Sequence, residues 1–130
     1  MKNLFLILFV LAGTVAVAQK PAKLKVTYNF ENIVEGYDHQ TKTEVYVDNK
    51  LVATSKEHKQ SEPTTISVAT TRGMHNIKVV NYAYYNGQWE ARSTDNGYST
   101  DGTVTKDWLL KKKNALSVTY DLNQPDPVVK

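Results

Sequence analysis

Leu24-Lys25-Val26-Thr27-Tyr28-Asn29-Phe30 and Leu116-Ser117-Val118-Thr119-Tyr120-Asp121-Leu122 stand near opposite ends of the chain and share one vocabulary. In both, apolar and aromatic residues alternate with polar ones at a period of two. That spacing marks a strand with one buried face, because successive side chains of a strand point to opposite sides. Seven residues are too few to mark an internal repeat, and both segments read as sheet strands.

The same signal recurs between them. Val45 and Val47 alternate, Asp48-Asn49-Lys50 turns the chain, and Leu51-Val52-Ala53 follows. Ile66 and Val68 make a short strand after Pro63. Past Arg72-Gly73, Ile77 and Val79 share one face while Val80, Tyr82 and Tyr84 take the other parity. The change of side predicts a strand covered on both faces or a bulge near Val79-Val80. Asn86-Gly87 is the strongest hairpin signal, since a type I′ turn needs positive φ at both central residues, and Asp101-Gly102 is a second such hairpin signal. Lys106 to Lys113 is the single candidate for two helical turns. Gln124-Pro125-Asp126-Pro127 is expected to end regular structure.

About seven short strands with frequent turn signals predict an all-β fold, a single antiparallel β-sandwich of immunoglobulin-like type. The expected core is Leu24, Val26, Tyr28, Val45, Val47 and Ile66, completed by Val68, Ile77, Val79, Leu116, Val118 and Tyr120.

The first residues carry an export signal. Lys2 supplies a positive start, Leu4 to Leu11 is an unbroken apolar run, and Ala16-Val17-Ala18 has the small-x-small cleavage pattern. The run is shorter than the roughly 20 residues a membrane-spanning helix needs. Leu11-Ala12-Gly13-Thr14 resembles a lipoprotein box with threonine in place of the cysteine that would carry lipid. The organisation expected is therefore a signal peptide over 1–18, a sandwich domain over 19–123 and a flexible Pro-containing tail over 124–130. The domain is exported, periplasmic or extracellular, with no lipid anchor and no membrane span. The sequence has no cysteine, so no disulfide staples it, and export without disulfides fits a bacterial envelope.

Losing Lys2 with the leader leaves 15 of the 16 basic residues against 13 acidic ones. So even a balance is not the footprint of a nucleic-acid binder. Lys111-Lys112-Lys113 reads as a solvated turn between strands.

From Thr43 to Val79 the chain resembles a PEGA-type domain, a small β-sandwich module of exported bacterial proteins. The matching pieces are Val45-Tyr46-Val47-Asp48, Pro63-Thr64-Thr65-Ile66-Ser67-Val68 and Gly73-Met74-His75-Asn76-Ile77-Lys78-Val79. Asn49 replaces the usual glycine after Asp48, and a charged insertion, Ser55 to Glu62, precedes Pro63. The resemblance implies a sandwich fold and a binding or surface-associated role, and it brings no catalytic residues.

No motif for chemistry emerges from the remaining residues. His39, His58 and His75 sit at no metal-ligand spacing, and His58, inside Lys56-Glu57-His58-Lys59, reads as solvated loop. There is no G-x-S-x-G elbow, and Glu31, Glu35, Asp38 and Glu44 read as one loop face rather than a glycosidase pair. Asp95 to Gly102 reads as turns, with Gly97 where a calcium loop would need a ligand. No cofactor, metal or catalytic residue is expected.

Aromatics are the remaining signal. Tyr82, Tyr84, Tyr85, Trp89, Tyr98 and Trp108 cluster around the Asn86-Gly87 hairpin. Rings on a sheet offer a large rigid area with a polar tip, suited to stacking on a sugar or anchoring a protein. Alternation puts Tyr85 opposite Tyr82 and Tyr84, so part of the set is structural. The candidate ligand residues are Tyr85, Trp89, Tyr98 and Trp108. The expected function is a non-enzymatic exported binding module contacting envelope protein or polysaccharide. The alternative is a carbohydrate-binding domain using the Tyr/Trp face.

Overall fold

The computed structural model describes residues 19–130; the leader expected over 1–18 lies outside them. Among the described residues ten strands form: β1 (Pro21–Glu31), β2 (Gln40–Val47), β3 (Lys50–Thr54), β4 (His58–Lys59), β5 (Thr64–Thr71), β6 (Gly73–Tyr85), β7 (Gln88–Ala91), β8 (Thr103–Leu110), β9 (Lys113–Asp121) and β10 (Val128–Val129). They make two sheets. One has the order β10-β9-β1-β5; the other has β3-β2-β6-β7, with β4 also pairing β2 and β8 also pairing β6. Thus β3 and β4 share one edge of β2, while β8 and β7 share the far edge of β6.

The two look-alike stretches explain the first sheet. β1 and β9 lie side by side and parallel, with Val26 opposite Leu116, Tyr28 opposite Val118 and Phe30 opposite Tyr120. Their apolar faces coincide, so a single layer of Leu24, Val26, Tyr28, Leu116, Val118 and Tyr120 faces the other sheet, each at most 1% exposed. All twelve expected core residues are buried. Burying a Val, Leu or Ile side chain contributes roughly 1.5–3 kcal/mol, and the second sheet supplies the opposing layer through Val45, Val47, Ile77 and Val79.

Three expectations are corrected, and one pair of alternatives is resolved. The sandwich is not wholly antiparallel: β1 pairs parallel with β9 and antiparallel with β5. This makes the first strand an interior one, whereas the immunoglobulin order leaves it on a sheet edge. Lys106 to Leu110 is strand rather than helix, because β8 pairs with β6 from Gly73 to Val80. The 79–80 switch is the covered strand, not a bulge: β6 keeps unbroken register with β2 through Val79 and Val80, and the irregularity falls between Val45 and Tyr46 against β3. The segment after Pro127 does not fray. Val128 and Val129 pair with Thr119 and Val118, and Lys130 exchanges backbone bonds with Ser117 in both directions.

Strand directions define two ends. The β2–β3, β5–β6 and β8–β9 turns gather at the lower end. At the upper end lie the 32–39 loop, the β6–β7 hairpin, the 92–102 loop and the 122–127 connection. Asp48 and Asn49 have φ of 51° and 68°, as do Asn86 and Gly87 at 52° and 81°, the two positive values a type I′ hairpin demands.

Candidate functional site

The candidate aromatics part into three places. Trp89 faces Tyr84 across the β6–β7 hairpin on the outer face of its sheet, the rings 5.2 Å apart, with Lys42 Nζ 4.5 Å from the Trp89 ring. Trp108 lies toward the lower end, opposite His75 and packed on the core margin beneath Lys106 Nζ at 4.3 Å. Tyr85 takes the other face of the hairpin. There it meets Tyr98 in a pocket of about 520 Å³ at the upper end.

Three loops wall this pocket: Val34, Tyr37 and His39 from the 32–39 loop, Tyr85 and Glu90 from the hairpin, and Tyr98 from the 92–102 loop. The His39 ring stands edge-on to both Tyr37 (5.9 Å) and Tyr85 (5.7 Å). The 92–102 loop is held by its own side chains. Ser93 Oγ accepts from Asp95 N at 3.0 Å and caps a single 3₁₀ turn, Thr94–Asn96, which Gly97 ends at φ 89°. Asp101 Oδ1 accepts from Thr94 N at 2.7 Å. Thr100, fully buried, places its hydroxyl 2.8 Å from Asp121 O and 2.7 Å from Gln124 O. So anchored, the loop presents Tyr98, whose buried hydroxyl has no hydrogen-bond partner. Burial first, then the Glu90 charge, raise the Tyr98 pKa.

Arg92 forms the pocket floor. It is 4% exposed, and its guanidinium lies 4.9 Å from the Phe30 ring centre and 5.2 Å from that of Tyr98. Its Nε donates to Asn81 Oδ1 at 2.8 Å and Nη2 donates to Gln60 Oε1 at 2.6 Å. Asn81, buried at 0% exposure, donates onward from Nδ2 to Thr41 Oγ1 (2.7 Å) and Thr43 Oγ1 (2.9 Å). Gln60 Nε2 donates to Tyr37 O at 2.8 Å, which ties the network to the pocket wall. Burial lowers the Arg92 pKa to about 10, so the group is still a cation at neutral pH. Among the described residues no carboxylate lies within 4 Å to offset it; two π faces and two amide oxygens do so instead.

Sequence reasoning finds Tyr85 and Tyr98 but misses Arg92, Asn81 and Gln60. Asn81 carries a signal of its own: it continues the inward parity of Ile77 and Val79, so a polar residue stands at a core position of β6. His58 is corrected likewise. It is 3% exposed, pairs opposite Thr41 in β4, and lies with Nε2 2.6 Å from the Tyr28 hydroxyl. Asp101-Gly102 is no hairpin. Gly102 N donates to Arg92 O (2.8 Å) and Gly102 O accepts from Asn81 N (3.0 Å), sealing the gap between β7 and β8.

One arrangement looks catalytic at first sight. Thr71 Oγ1 lies 3.2 Å from His75 Nε2, and His75 Nδ1 lies 2.6 Å from Asp48 Oδ2. Nε2 also stands 2.8 Å from Thr71 O, a carbonyl that can only accept. Both ring nitrogens therefore face acceptors, Nδ1 the Asp48 carboxylate and Nε2 the Thr71 carbonyl. The set clamps the β2–β3 turn onto β6, where Asp48 Oδ1 also accepts from Asn76 N at 2.8 Å. Among the described residues no group of three or more His, Asp or Glu is placed to hold a metal, and no helix is long and apolar enough to cross a membrane.

No family model matches the chain, and no curated protein does. Among solved structures it is similar to one described as the structure of pneumolysin at 1.98 Å resolution, with 13% identity and a TM-score of 0.41 over 88% of this chain and 24% of that one.

Proposed function

We propose that this protein is a non-enzymatic exported binding module of the bacterial envelope or extracellular space, and that the pocket at its upper end takes a carbohydrate. The observation that carries the reading is the meeting of Tyr85, Tyr98, Glu90 and Arg92 around one cavity. A sugar presents apolar C–H faces and pairs of hydroxyls. Tyrosine rings cover the first, while a carboxylate and a guanidinium accept from and donate to the second. Export rests on Lys2, the Leu4 to Leu11 run and Ala16-Val17-Ala18. A PEGA-like ancestry draws support from Gly73, whose φ of 117° suits glycine at the entry to β6, and from Pro63 just before β5.

A glycan array tests the pocket. The protein binds a discrete set of glycans, and Tyr98→Ala weakens that binding by about tenfold, the loss of a ring worth somewhat over 1 kcal/mol. Tyr84→Ala, on the outer face, leaves it unchanged. An array without a hit, or Tyr98→Ala binding as well as the parent, overturns the carbohydrate reading.

The second reading is an envelope protein docked on the outer face of the six-stranded sheet. Tyr84 is 41% exposed there beside Trp89, and Trp and Tyr are the residues that anchor protein interfaces. Under it, Trp89→Ala abolishes recovery of a specific partner from an envelope extract and leaves glycan binding intact.

A further inference from the structure

The near-neutral net charge conceals a one-sided arrangement. On the outer face of the four-stranded sheet, Lys23 lies directly beside Lys113, and Lys25 follows two residues along β1. Lys20, Lys111 and Lys112 extend the cluster on the adjoining lower-end segments, and all six are exposed. Among the described residues no lysine or arginine pairs with a carboxylate within 4 Å. Like charges placed directly across a strand pair repel, so the Lys23–Lys113 pairing is unfavourable until an anion lies between. The acids of this face, Glu31 and Asp121, stand opposite each other at its far, upper end.

The cluster is also held in place. Asn114 Oδ1 accepts from Lys111 N at 2.8 Å, while its Nδ2 lies 2.8 Å from Lys111 O and 3.0 Å from Lys23 O. Lys23 N donates to Lys112 O at 2.9 Å. The β8–β9 turn is thereby fixed to β1 at backbone level, and the cations it carries are spaced before any ligand arrives.

Between the lysines runs a groove of about 580 Å³. Its walls are low because the neighbours are Ser67, Ala69 and Ala115. Leu24 and Val68, whose side chains face the core, contribute backbone to its floor. We propose that this groove is a second binding site, one that takes an acidic polysaccharide chain. Its charges repeat at intervals a uronate or phosphodiester polymer can match: about 4.8 Å across strands and about 6.7 Å between alternate residues along one. A membrane surface is the poorer partner, since docking to lipid needs an apolar face beside the charge, whereas the outward residues beside the lysines are Thr27, Ser67, Ala69 and Ala115, and the exposed Val128 sits away from them, opposite Thr119 toward the upper end. A nucleic acid is poorer too, because none of the described aromatic rings stands on this face to stack a base.

Titration calorimetry with polygalacturonate tests the site on the mature protein. Binding is expected, with affinity falling about tenfold or more between about 50 and about 200 mM salt as counterions are released. Dextran, its neutral counterpart, does not bind. The triple variant Lys23→Gln, Lys25→Gln, Lys113→Gln loses at least tenfold while unfolding at the parent's temperature. Lys42→Gln with Lys78→Gln, on the other sheet, binds as the parent does. Tyr98→Ala also keeps polygalacturonate binding, which separates this site from the upper pocket: either can fail alone. Equal binding to dextran, salt-independent binding, or a triple variant as tight as the parent overturns the proposal. So does tighter binding to phosphatidylglycerol vesicles or to a DNA oligonucleotide.

Discussion

The lower and upper halves of the core are held together by different forces. Below, Leu24, Val26, Ile66, Val68, Ile77 and Leu116 meet as hydrocarbon on hydrocarbon. Above, the same inward positions pass to Thr41, Thr43 and Asn81, with Gln60 and Arg92 completing a buried polar chain. The lower half tolerates adjustment, because dispersion contacts have no direction. The upper half is directional: each group is satisfied only while its neighbours stay in place, and one of them is a cation. Polar cores of this kind gain little net stability while intact and lose much when broken. They do fix the loops that wall the pocket.

Asn81→Leu is the largest expected break. It removes the acceptor of Arg92 Nε and the donor to Thr41 and Thr43, leaving a buried cation and two hydroxyls poorly partnered. The expected loss is about 3–5 kcal/mol, read as a fall in the urea midpoint at unchanged slope. Leu116→Ala does the corresponding damage below. It opens a cavity under a residue 1% exposed and costs about 2–5 kcal/mol. The two also differ in their effect on the ligand: Asn81→Leu weakens glycan binding because Arg92 and the pocket wall shift, whereas Leu116→Ala leaves the binding of the folded fraction intact. Equal loss of binding in both variants erases the distinction between the halves.

Next in size is Gly102→Ala. A Cβ there meets Arg92 Cβ at 2.9 Å, Asn81 O at 3.0 Å and Arg92 O at 3.1 Å. Two of these are backbone atoms already committed to hydrogen bonds across the junction, so they yield only by opening it. The expected cost is about 1–3 kcal/mol, seen as a lower unfolding temperature. Gly97→Ala sharpens the point. It has open space around its Cβ and is strained only by its φ of 89°, so it costs less and leaves the Asn81 junction closed.

The lower half is readable from alternation alone. Its buried inward positions are apolar and most of its outward ones polar, with Met74 and Leu109 as exposed exceptions, and a period of two needs no tertiary knowledge. The look-alike segments at the two chain ends even carry the apolar faces that merge in one sheet. Their parallel pairing is not readable, because alternation fixes which side chains are buried and says nothing about which strands are neighbours. The upper half defeats the same reasoning. Asn81, Arg92 and His58 look solvated by residue type, and their burial depends on partners tens of residues away. Gln60 and Arg92, for example, are 32 residues apart in sequence. Composition alone picks out Tyr85 and Tyr98, but the parity that separates Trp89 and Trp108 from them emerges only once register is known.

Smallest in effect, and most direct as a comparison of the ends, is the response to acid. At the lower end, the His75 ring and the Asn76 amide hold the Asp48 carboxyl below its ordinary value. Two carboxylates are held down at the upper end. At Asp38, burial pushes upward but the Ser61 hydroxyl and amide prevail; at Asp121, the Asn32 side chain and the Asn123 amide act together. All three have folded pKa values below the ordinary 3.8. The stability each lends is complete above that value and is lost as pH falls through the folded one. Urea midpoints should therefore hold from neutral pH down to about 4.5 and decline below it. Asp38→Asn combined with Asp121→Asn should flatten the decline more than Asp48→Asn does, since two of the three groups bind the loops of the upper end. If Asp48→Asn flattens it more, the His75 clamp rather than the upper loops is where acid unfolding begins, and the end built on directional contacts is not the first to yield.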